Sequence, residues 1–441
     1  MKLSFFGATK EVTGSNYLLE QNDSKIVVDC GYFQGGRKSE ARNIQNFDYD
    51  PSSINAVIIT HAHLDHIGRL PKMIADGFNG KIYMTEVTEQ LAKIVLEDAL
   101  GLMREPTHQE KDVLQIFEQT QVVGYNQKIS ITQDFSVTFY DAGHILGSSF
   151  VKVEWEQKSI IFSGDLGNCP NPLLNETTKI PQANFVVCES TYGSRIHEKA
   201  IEKTNKLIKN ITETISFNGT VLIPSFAIER TQELLYQMDT IFDQHKLPKV
   251  PYFLDSPMAI NVTKVYKQFS KYWNTSALDS KLKDGDIFKF PTLKETMTTE
   301  ESKSINNVQG AKVIIAGAGM MDGGRIVHHA KRYISDKKNM ILFIGYQAQG
   351  TLGRSIYDGI KTVKINGERY PVRCRVKAIG GYSAHADSRQ IIRWLDDGDK
   401  NKHIFITHGE EMESEGLKNR LIENAYVNLS IPEEKESVEL Q

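Results

Sequence analysis

An α/β protein, strand-rich at both ends around a central α/β segment, is the fold class this chain predicts, and three observations predict it. Short β-branched and aromatic runs crowd residues 1 to 194; strands alternate with helical patterns from about 195 to 372; and from 373 to 441 strand ends again deliver histidines. At 441 residues the chain exceeds one ordinary hydrophobic core, so more than one domain is expected. Its 40% hydrophobic and 24% charged residues are the composition of a globular chain rather than a disordered one. No apolar stretch approaches the roughly 20 residues that span a bilayer.

Taken in order, Met1 to Gly7 opens with a first strand, Leu3 to Phe6, and lacks the apolar core and cleavage site of a signal peptide. Tyr17 to Leu19, Ile26 to Val28, Val57 to Ile59, Ile82 to Met84, Val137 to Tyr140, Phe150 to Trp155, Ile160 to Phe162 and Phe185 to Val187 follow as strands. Glu86 to about Thr120 is helical, with a break near Pro106. Asp29, His61, His144, Asp165 and Glu189 stand at or just beyond strand ends, which is how a rigid scaffold delivers a site. In the middle segment the strands Val221 to Ile223, Tyr252 to Leu254, Val313 to Ile315 and Ile341 to Ile344 alternate with helices at Thr231 to Ile241, Ala259 to Phe269 and Arg325 to Ile334, the pattern of a parallel sheet. Asn274 to Asn307 is polar, lysine-rich and expected to be weakly ordered, and the last dozen residues to be a charged tail.

A net charge of −3 gives no global nucleic-acid signature. Lysines do thicken locally, at Lys264, Lys267, Lys271, Lys281, Lys283, Lys289 and Lys294; a solvated surface is their simpler reading. Four scattered cysteines without CxxC spacing favour free thiols in a reducing cytoplasm.

The run Val57-Ile58-Ile59-Thr60-His61-Ala62-His63-Leu64-Asp65-His66 packs four metal-binding side chains into six residues after a buried strand. One zinc with a position left for water cannot use all four, but two neighbouring ions can: His61 and His63 toward one, Asp65 and His66 toward the other. His144, in Asp141-Ala142-Gly143-His144, is a natural third ligand for the first ion, and the two oxygens of Asp165, in Ser163-Gly164-Asp165, could bridge both. Two glycine-rich turns, Gly317 to Arg325 and Gly345 to Arg354, follow strands and open helices, offering backbone N–H groups and a guanidinium to a phosphate.

With these motifs in order, and with Glu189 in Cys188-Glu189-Ser190-Thr191-Tyr192-Gly193, His385 in Ser383-Ala384-His385-Ala386-Asp387 and His408 in Thr407-His408-Gly409, the chain resembles the β-CASP nucleases of the metallo-β-lactamase superfamily. The resemblance covers nearly the whole chain. It implies an αββα sandwich, residues 1–194 and 373–441, interrupted by a parallel α/β β-CASP domain at 195–372. It implies two zinc ions per chain: His61, His63 and His144 on one, Asp65, His66 and His408 on the other, and Asp165 between them. By the same resemblance His385 is the general acid oriented by Glu189, Asp65 and Asp29 belong to the catalytic set, and Ser383, Arg325, Arg354 and Gly319 contact substrate phosphates. Gly317 stands where a serine is expected and Glu229 where a glycine is, which bears on single phosphate contacts and not on the metal centre.

The expected activity is hydrolysis of single-stranded RNA, mainly endonucleolytic, leaving 5′-phosphate and 3′-hydroxyl ends, by a cytoplasmic homodimer of the short bacterial type. A 5′-exoribonuclease and a dinuclear-zinc hydrolase of a small thioester or phosphodiester are the alternatives; the second has no use for the α/β insert or His385.

Overall fold

The computed structural model of the protein describes residues 1–35, 37–102, 107–198 and 200–441, and the break expected near Pro106 lies outside them. The chain divides into two compact units, Met1–Ile196 with His385–Gln441, and His197–Ala384.

In the first unit, one seven-stranded sheet runs, edge to edge, Ser437–Glu439, Lys2–Phe5, Tyr17–Gln21, Ser24–Val28, Ala56–Ile58, Lys81–Thr85, Thr120–Val123. A second runs Leu429–Ser430, His403–Thr407, Phe185–Glu189, Lys158–Phe162, Ser149–Trp155, Ser136–Asp141, Lys128–Ser130. Alternation along the strands decides what lies between them: Leu3, Phe5, Ile26, Val28 and Ile58 from one sheet meet Val137, Phe139, Val151, Val153, Phe162 and Phe405 from the other in one core. Each such side chain contributes about 1.5–3 kcal/mol by leaving water. Alternate residues face outward. Phe150, Ile161, Val186, Cys188, Ile404 and Ile406 pack against Ile391, Trp394 and Leu395 of helix Ser388–Leu395 and Leu417 and Leu421 of helix Glu411–Glu423. Helix Glu86–Leu102 lies against strand Lys81–Thr85 of the first sheet, giving the αββα order.

The second unit is a wholly parallel six-stranded sheet in the order Leu293–Glu295, Tyr252–Leu254, Lys312–Ala316, Thr220–Pro224, Met340–Phe343, Arg375–Ala378. Its central strands are buried on both faces, which is why they are unbroken apolar runs.

Two expectations are corrected. The stretch 274–307 is ordered: Asn274 and Thr298 cap helices Thr275–Asp284 and Thr299–Ser304 with their own side chains, and Leu293–Glu295 joins the sheet. The charged tail ends in a strand, because Ser437–Glu439 pairs with Lys2–Ser4 and Leu440 is buried in the sandwich core. Strands Thr120–Val123 and Lys128–Ser130 and helix Ala200–Ser216 were not anticipated; the two strands are short, half exposed and poor in alternation.

Candidate metal centre

Six strand ends in the first unit converge. Asp29 follows Ser24–Val28; Thr60 and His61 follow Ala56–Ile58; His144 lies beyond Ser136–Asp141; Asp165 beyond Lys158–Phe162; Glu189 ends its strand; and His408 follows His403–Thr407. Between His63 and Gly68 the chain makes one helical turn, Leu64–Ile67, which carries Asp65 and His66 and sets the His66 ring 4.0 Å from that of His61. That turn sits so close to Gly31 that a Cβ there would meet the Asp65 carbonyl oxygen at 1.7 Å.

Among the described residues two four-residue ligand clusters result, adjoined by a third group of three, Asp165, Glu189 and His385. His61, His63, His144 and Asp165 form the first; Asp65, His66, Asp165 and His408 form the second. In the first, His63 Nδ1 lies 3.1 Å from His61 Nε2 and 3.2 Å from His144 Nε2, while Asp165 Oδ2 is 3.4 and 3.5 Å from the same two nitrogens. In the second, His66 Nε2 is 3.2 Å from His408 Nε2 and 3.3 Å from Asp165 Oδ1, and His408 Nε2 is 3.3 Å from Asp65 Oδ2. Ligands at zinc-type bond lengths of about 2.0–2.1 Å in tetrahedral array stand about 3.3 Å apart, so these spacings fit a metal ion in each cluster. Among the described residues, both Asp165 oxygens and His144 Nδ1 are buried without a hydrogen bond, an arrangement costly for a carboxylate unless a cation completes it.

Protonation preferences divide the two clusters. Burial holds His61, His63 and His144 below the ordinary imidazole value, His63 down to about 3, so they are neutral and fit to ligate. Burial opposes charge on His66 and His408 too, but Asp165 outweighs it, aided by Asp29 at His66 and by Asp65 at His408, and both are raised. Asp165 and Asp65 are pushed down by surrounding imidazoles despite their burial. Carboxylates that favour a proton on these histidines favour a cation in the same place.

A layer of hydrogen bonds aims the ligands. Asp29 Oδ2 accepts from His66 Nδ1 at 2.7 Å and from the Thr60 hydroxyl at 2.8 Å, and its Oδ1 accepts the Thr60 N–H at 2.8 Å. This leaves His66 Nε2 for the cluster. Glu189 Oε1 accepts the Leu166 N–H at 2.6 Å and Oε2 lies 3.2 Å from His385 Nδ1. Burial lowers the His385 imidazole, but Glu189 and then Asp165 raise it above its ordinary value. Sequence reasoning missed Thr60, Thr191, whose hydroxyl lies 3.1 Å from His408 Nδ1, and Ser163, whose hydroxyl accepts the Glu189 N–H at 2.9 Å. Their one signal is position, one or two residues from a ligand or from Glu189.

The four expected phosphate contacts all belong to the second unit. Ser383 is buried on the turn after Gly380. Gly319 is also buried: a Cβ there would meet Phe226 Cδ2 at 2.5 Å, and one on Gly345 would meet Phe226 Cε2 at 2.8 Å, so packing against that ring requires glycine in both turns. Arg325 donates to Asp255 at 2.7 Å and to the carbonyls of Thr296 and Met297, bracing its own domain. Arg354 pairs with Asp358 at 2.9 Å. Glu229, replacing the expected glycine, keeps the positive φ of +65° and accepts from the Tyr266 hydroxyl at 2.7 Å.

Together the αββα sandwich and the shared-carboxylate clusters define a metal-dependent hydrolase. Family models match accordingly: the metallo-beta-lactamase superfamily over residues 9–184, the Beta-Casp domain over 231–356, and the Zn-dependent metallo-hydrolase RNA specificity domain over 369–432. The chain is 40% identical to Ribonuclease TTHA0252 of Thermus thermophilus, covering 93% of this chain and 94% of that one, and 32% identical to an RNase J-like protein of Methanocaldococcus jannaschii, covering 93% of each. It is 29% identical to the transcription termination factor FttA of Thermococcus kodakarensis, over 100% of this chain and 72% of that one. A crystal structure of a protein of unknown function from Enterococcus faecalis shares the fold, with a TM-score of 0.57 at 14% identity over 99% of both chains. The chain belongs to the β-CASP ribonuclease family of the metallo-β-lactamase superfamily.

Among the described residues no helix is long and apolar enough to cross a membrane.

Proposed function

We propose that the protein is a zinc-dependent endoribonuclease of single-stranded RNA that leaves 5′-phosphate and 3′-hydroxyl ends. The observation that carries this reading is a pair of four-ligand clusters sharing Asp165, beside a histidine–carboxylate pair, His385–Glu189. Five imidazoles among the ligands favour zinc, one ion in each cluster, over harder cations. Bound there, such ions supply a water of lowered pKa and neutralise charge building on a phosphoryl group.

The residues divide the remaining work. Glu189 holds the Nδ1 side of His385 and so presents Nε2 to the departing ribose 3′-oxygen. Glu189 and Asp165 favour the protonated form of His385, and transfer of that proton from Nε2 to the 3′-oxygen lets the phosphorus–oxygen bond break without releasing an alkoxide. Asp29 keeps His66 in its ligating tautomer. Ser383, Gly319, Arg354 and Arg325 are proposed to hold backbone phosphates. Ser383 and Gly319 lie on turns, and Arg325 and Arg354 in the first turns of helices Gly324–Tyr333 and Leu352–Tyr357, beyond the carboxyl ends of a parallel sheet whose strand order switches there, the usual ligand side of such sheets, although Arg325 also holds Asp255. A homodimer and cytoplasmic action complete the proposal.

The test is cleavage of a 5′-triphosphorylated, internally labelled single-stranded RNA beside His385→Ala and an equimolar DNA. Internal fragments with 5′-phosphate ends, lost in the variant and absent with DNA, are expected. Mononucleotides released from a 5′-monophosphorylated substrate would replace the reading with a 5′-exoribonuclease, and no RNA cleavage by metal-loaded protein would point to a small substrate.

A further inference from the structure

Strands Phe185–Glu189 and His403–Thr407 are parallel neighbours in the first unit, with Glu189 opposite Thr407, so the residues that follow them leave the sheet side by side. Glu189, Ser190 and Thr191 divide the contacts between them. Glu189 Oε2 faces His385 Nδ1, and Ser190 Oγ donates to the Thr407 carbonyl at 2.8 Å, so close that a Cβ on Gly409 would meet it at 2.2 Å. Thr191, 3% exposed, takes His408 at two points. Its hydroxyl donates to the His408 carbonyl oxygen at 3.1 Å, and the same hydroxyl oxygen stands 3.1 Å from His408 Nδ1.

That geometry has one consistent placement of protons. A threonine hydroxyl carries a single proton, which here goes to the carbonyl, so toward Nδ1 its oxygen can only accept. The next oxygen, Asp165 Oδ1, is 3.6 Å from Nδ1, beyond hydrogen-bond reach. His408 therefore keeps a proton on Nδ1 and a lone pair on Nε2, the atom 3.2 Å from His66 Nε2 and 3.3 Å from Asp65 Oδ2. The backbone there needs holding as well. The φ of His408 is +49°, in the left-handed region that a histidine occupies only where its surroundings impose it. Its N–H donates to the Ala8 carbonyl at 2.7 Å, and its carbonyl accepts the Ser190 N–H at 3.3 Å beside the Thr191 hydroxyl. Asp29, which holds His66 for the same cluster, has a φ of +58°, whereas His61, His63 and His144 have no positive φ. The second cluster thus rests on two backbone positions that neighbouring groups must hold in place.

We infer that Thr191 is a positioning residue for the metal centre: by holding His408 at Nδ1 and at its carbonyl oxygen, it fixes the ligating tautomer and the left-handed backbone. It thereby sets the affinity of the second cluster for its ion and not that of the first. This rests on the reading of Asp65, His66, Asp165 and His408 as ligands. Removing the group that orients a metal-bound imidazole costs about 10–100-fold in metal affinity. Valine is the decisive replacement, since it keeps the branched shape of threonine and lacks the hydroxyl that makes both contacts.

Graded chelator competition on the full-length, zinc-loaded protein tests it, with the imidazole N–H protons followed by NMR and thermal melting read for each variant. Thr191→Val should weaken the binding of one ion by about 10–100-fold and leave the other within about twofold. In the same variant the protected Nδ1–H resonance of His408 should be lost while that of His66, held by Asp29, persists. Thr191→Ser restores the hydroxyl and should recover most of both. Equal weakening in the valine and serine variants would assign the effect to packing and overturn the inference, as would unchanged binding or two ions weakened alike. Should Thr191→Val not fold, Thr191→Ala is read against Thr191→Ser in the same way. His408→Ala separates the positioning role from the reading beneath it. Loss of one ion there, with normal binding in Thr191→Val, sinks the positioning role alone; two tightly held ions in His408→Ala remove His408 from the ligands and the role of Thr191 with it.

Discussion

The two ligand clusters share Asp165 and differ in almost everything else. The three-histidine cluster is made of imidazoles that burial keeps neutral; the mixed cluster has Asp65 in place of one imidazole and histidines that nearby carboxylates favour charged. Their scaffolds differ as well. His61 and His63 are two residues apart and meet almost by local geometry, whereas His66 and His408 are separated by 342 residues and meet only because their strands end at one edge. A neutral cluster competes poorly for protons and holds its cation over a wide pH range; a charged one attracts a cation strongly and loses it to protons sooner.

The largest effect is expected from the one residue the clusters share. Asp165→Asn should deplete metal from both and lower RNA cleavage on the order of 10³-fold or more, equivalent to about 4 kcal/mol of transition-state stabilisation, as read by metal analysis and single-turnover rates. Loss of metal from one cluster only would mean that Asp165 does not bridge. Next come His144→Ala and Asp65→Asn, each expected to cost roughly one ion per chain and about 10²-fold in rate. If the two clusters differ as argued, chelator titration should strip the remaining ion at lower chelator in His144→Ala, which keeps the mixed cluster, when assayed at pH 6.

A smaller change sharpens the contrast. Asp29→Asn touches the mixed cluster directly, through His66, and the three-histidine cluster only by way of the Thr60 hydroxyl 3.1 Å from His61 Nδ1, so it should weaken one metal-binding step by about 10–100-fold and the other far less in calorimetry. Two weakened steps would show that the clusters are not separable.

The smallest signal is a titration of the metal-free protein by imidazole NMR. His61, His63 and His144, whose folded values lie below 6.5, contribute stability that is present above 6.5 and lost as pH falls toward those values, about 3 for His63. His66 and His408, raised above 6.5, contribute stability that is present below 6.5 and lost as pH rises through their folded values. At pH 6.5 the first three resonances should lie toward neutral imidazole and the other two toward imidazolium. Shifts of one sign in all five would erase the distinction between the clusters.

Much of this centre was legible in the chain. His61, His63, Asp65 and His66 are close enough in sequence for one strand end and one helical turn to fix their spread, and the αββα class was implied by the family resemblance that these motifs carry. The order of Asn274 to Asn307 was not legible, because side-chain caps at Asn274 and Thr298 do for those helices what apolar periodicity does elsewhere. Nor was the fate of Arg325: a guanidinium at the start of a helix suits a phosphate in sequence, and only the arrival of Asp255, 70 residues away, gives it another partner.

By itself the sequence determined which atoms were available: the ligand types, their short-range spacing, and the strand runs that carry them to a sheet edge. The tertiary structure alone decided that one Asp165 oxygen faces each cluster, that the Ser437–Glu439 tail closes the first sheet, and that the Thr191 hydroxyl meets His408. The physical reason is range. Covalent geometry limits what residues a few positions apart can do, but partners hundreds of residues apart are chosen by the packing of two sheets and by the need of every buried charge for a counterpart.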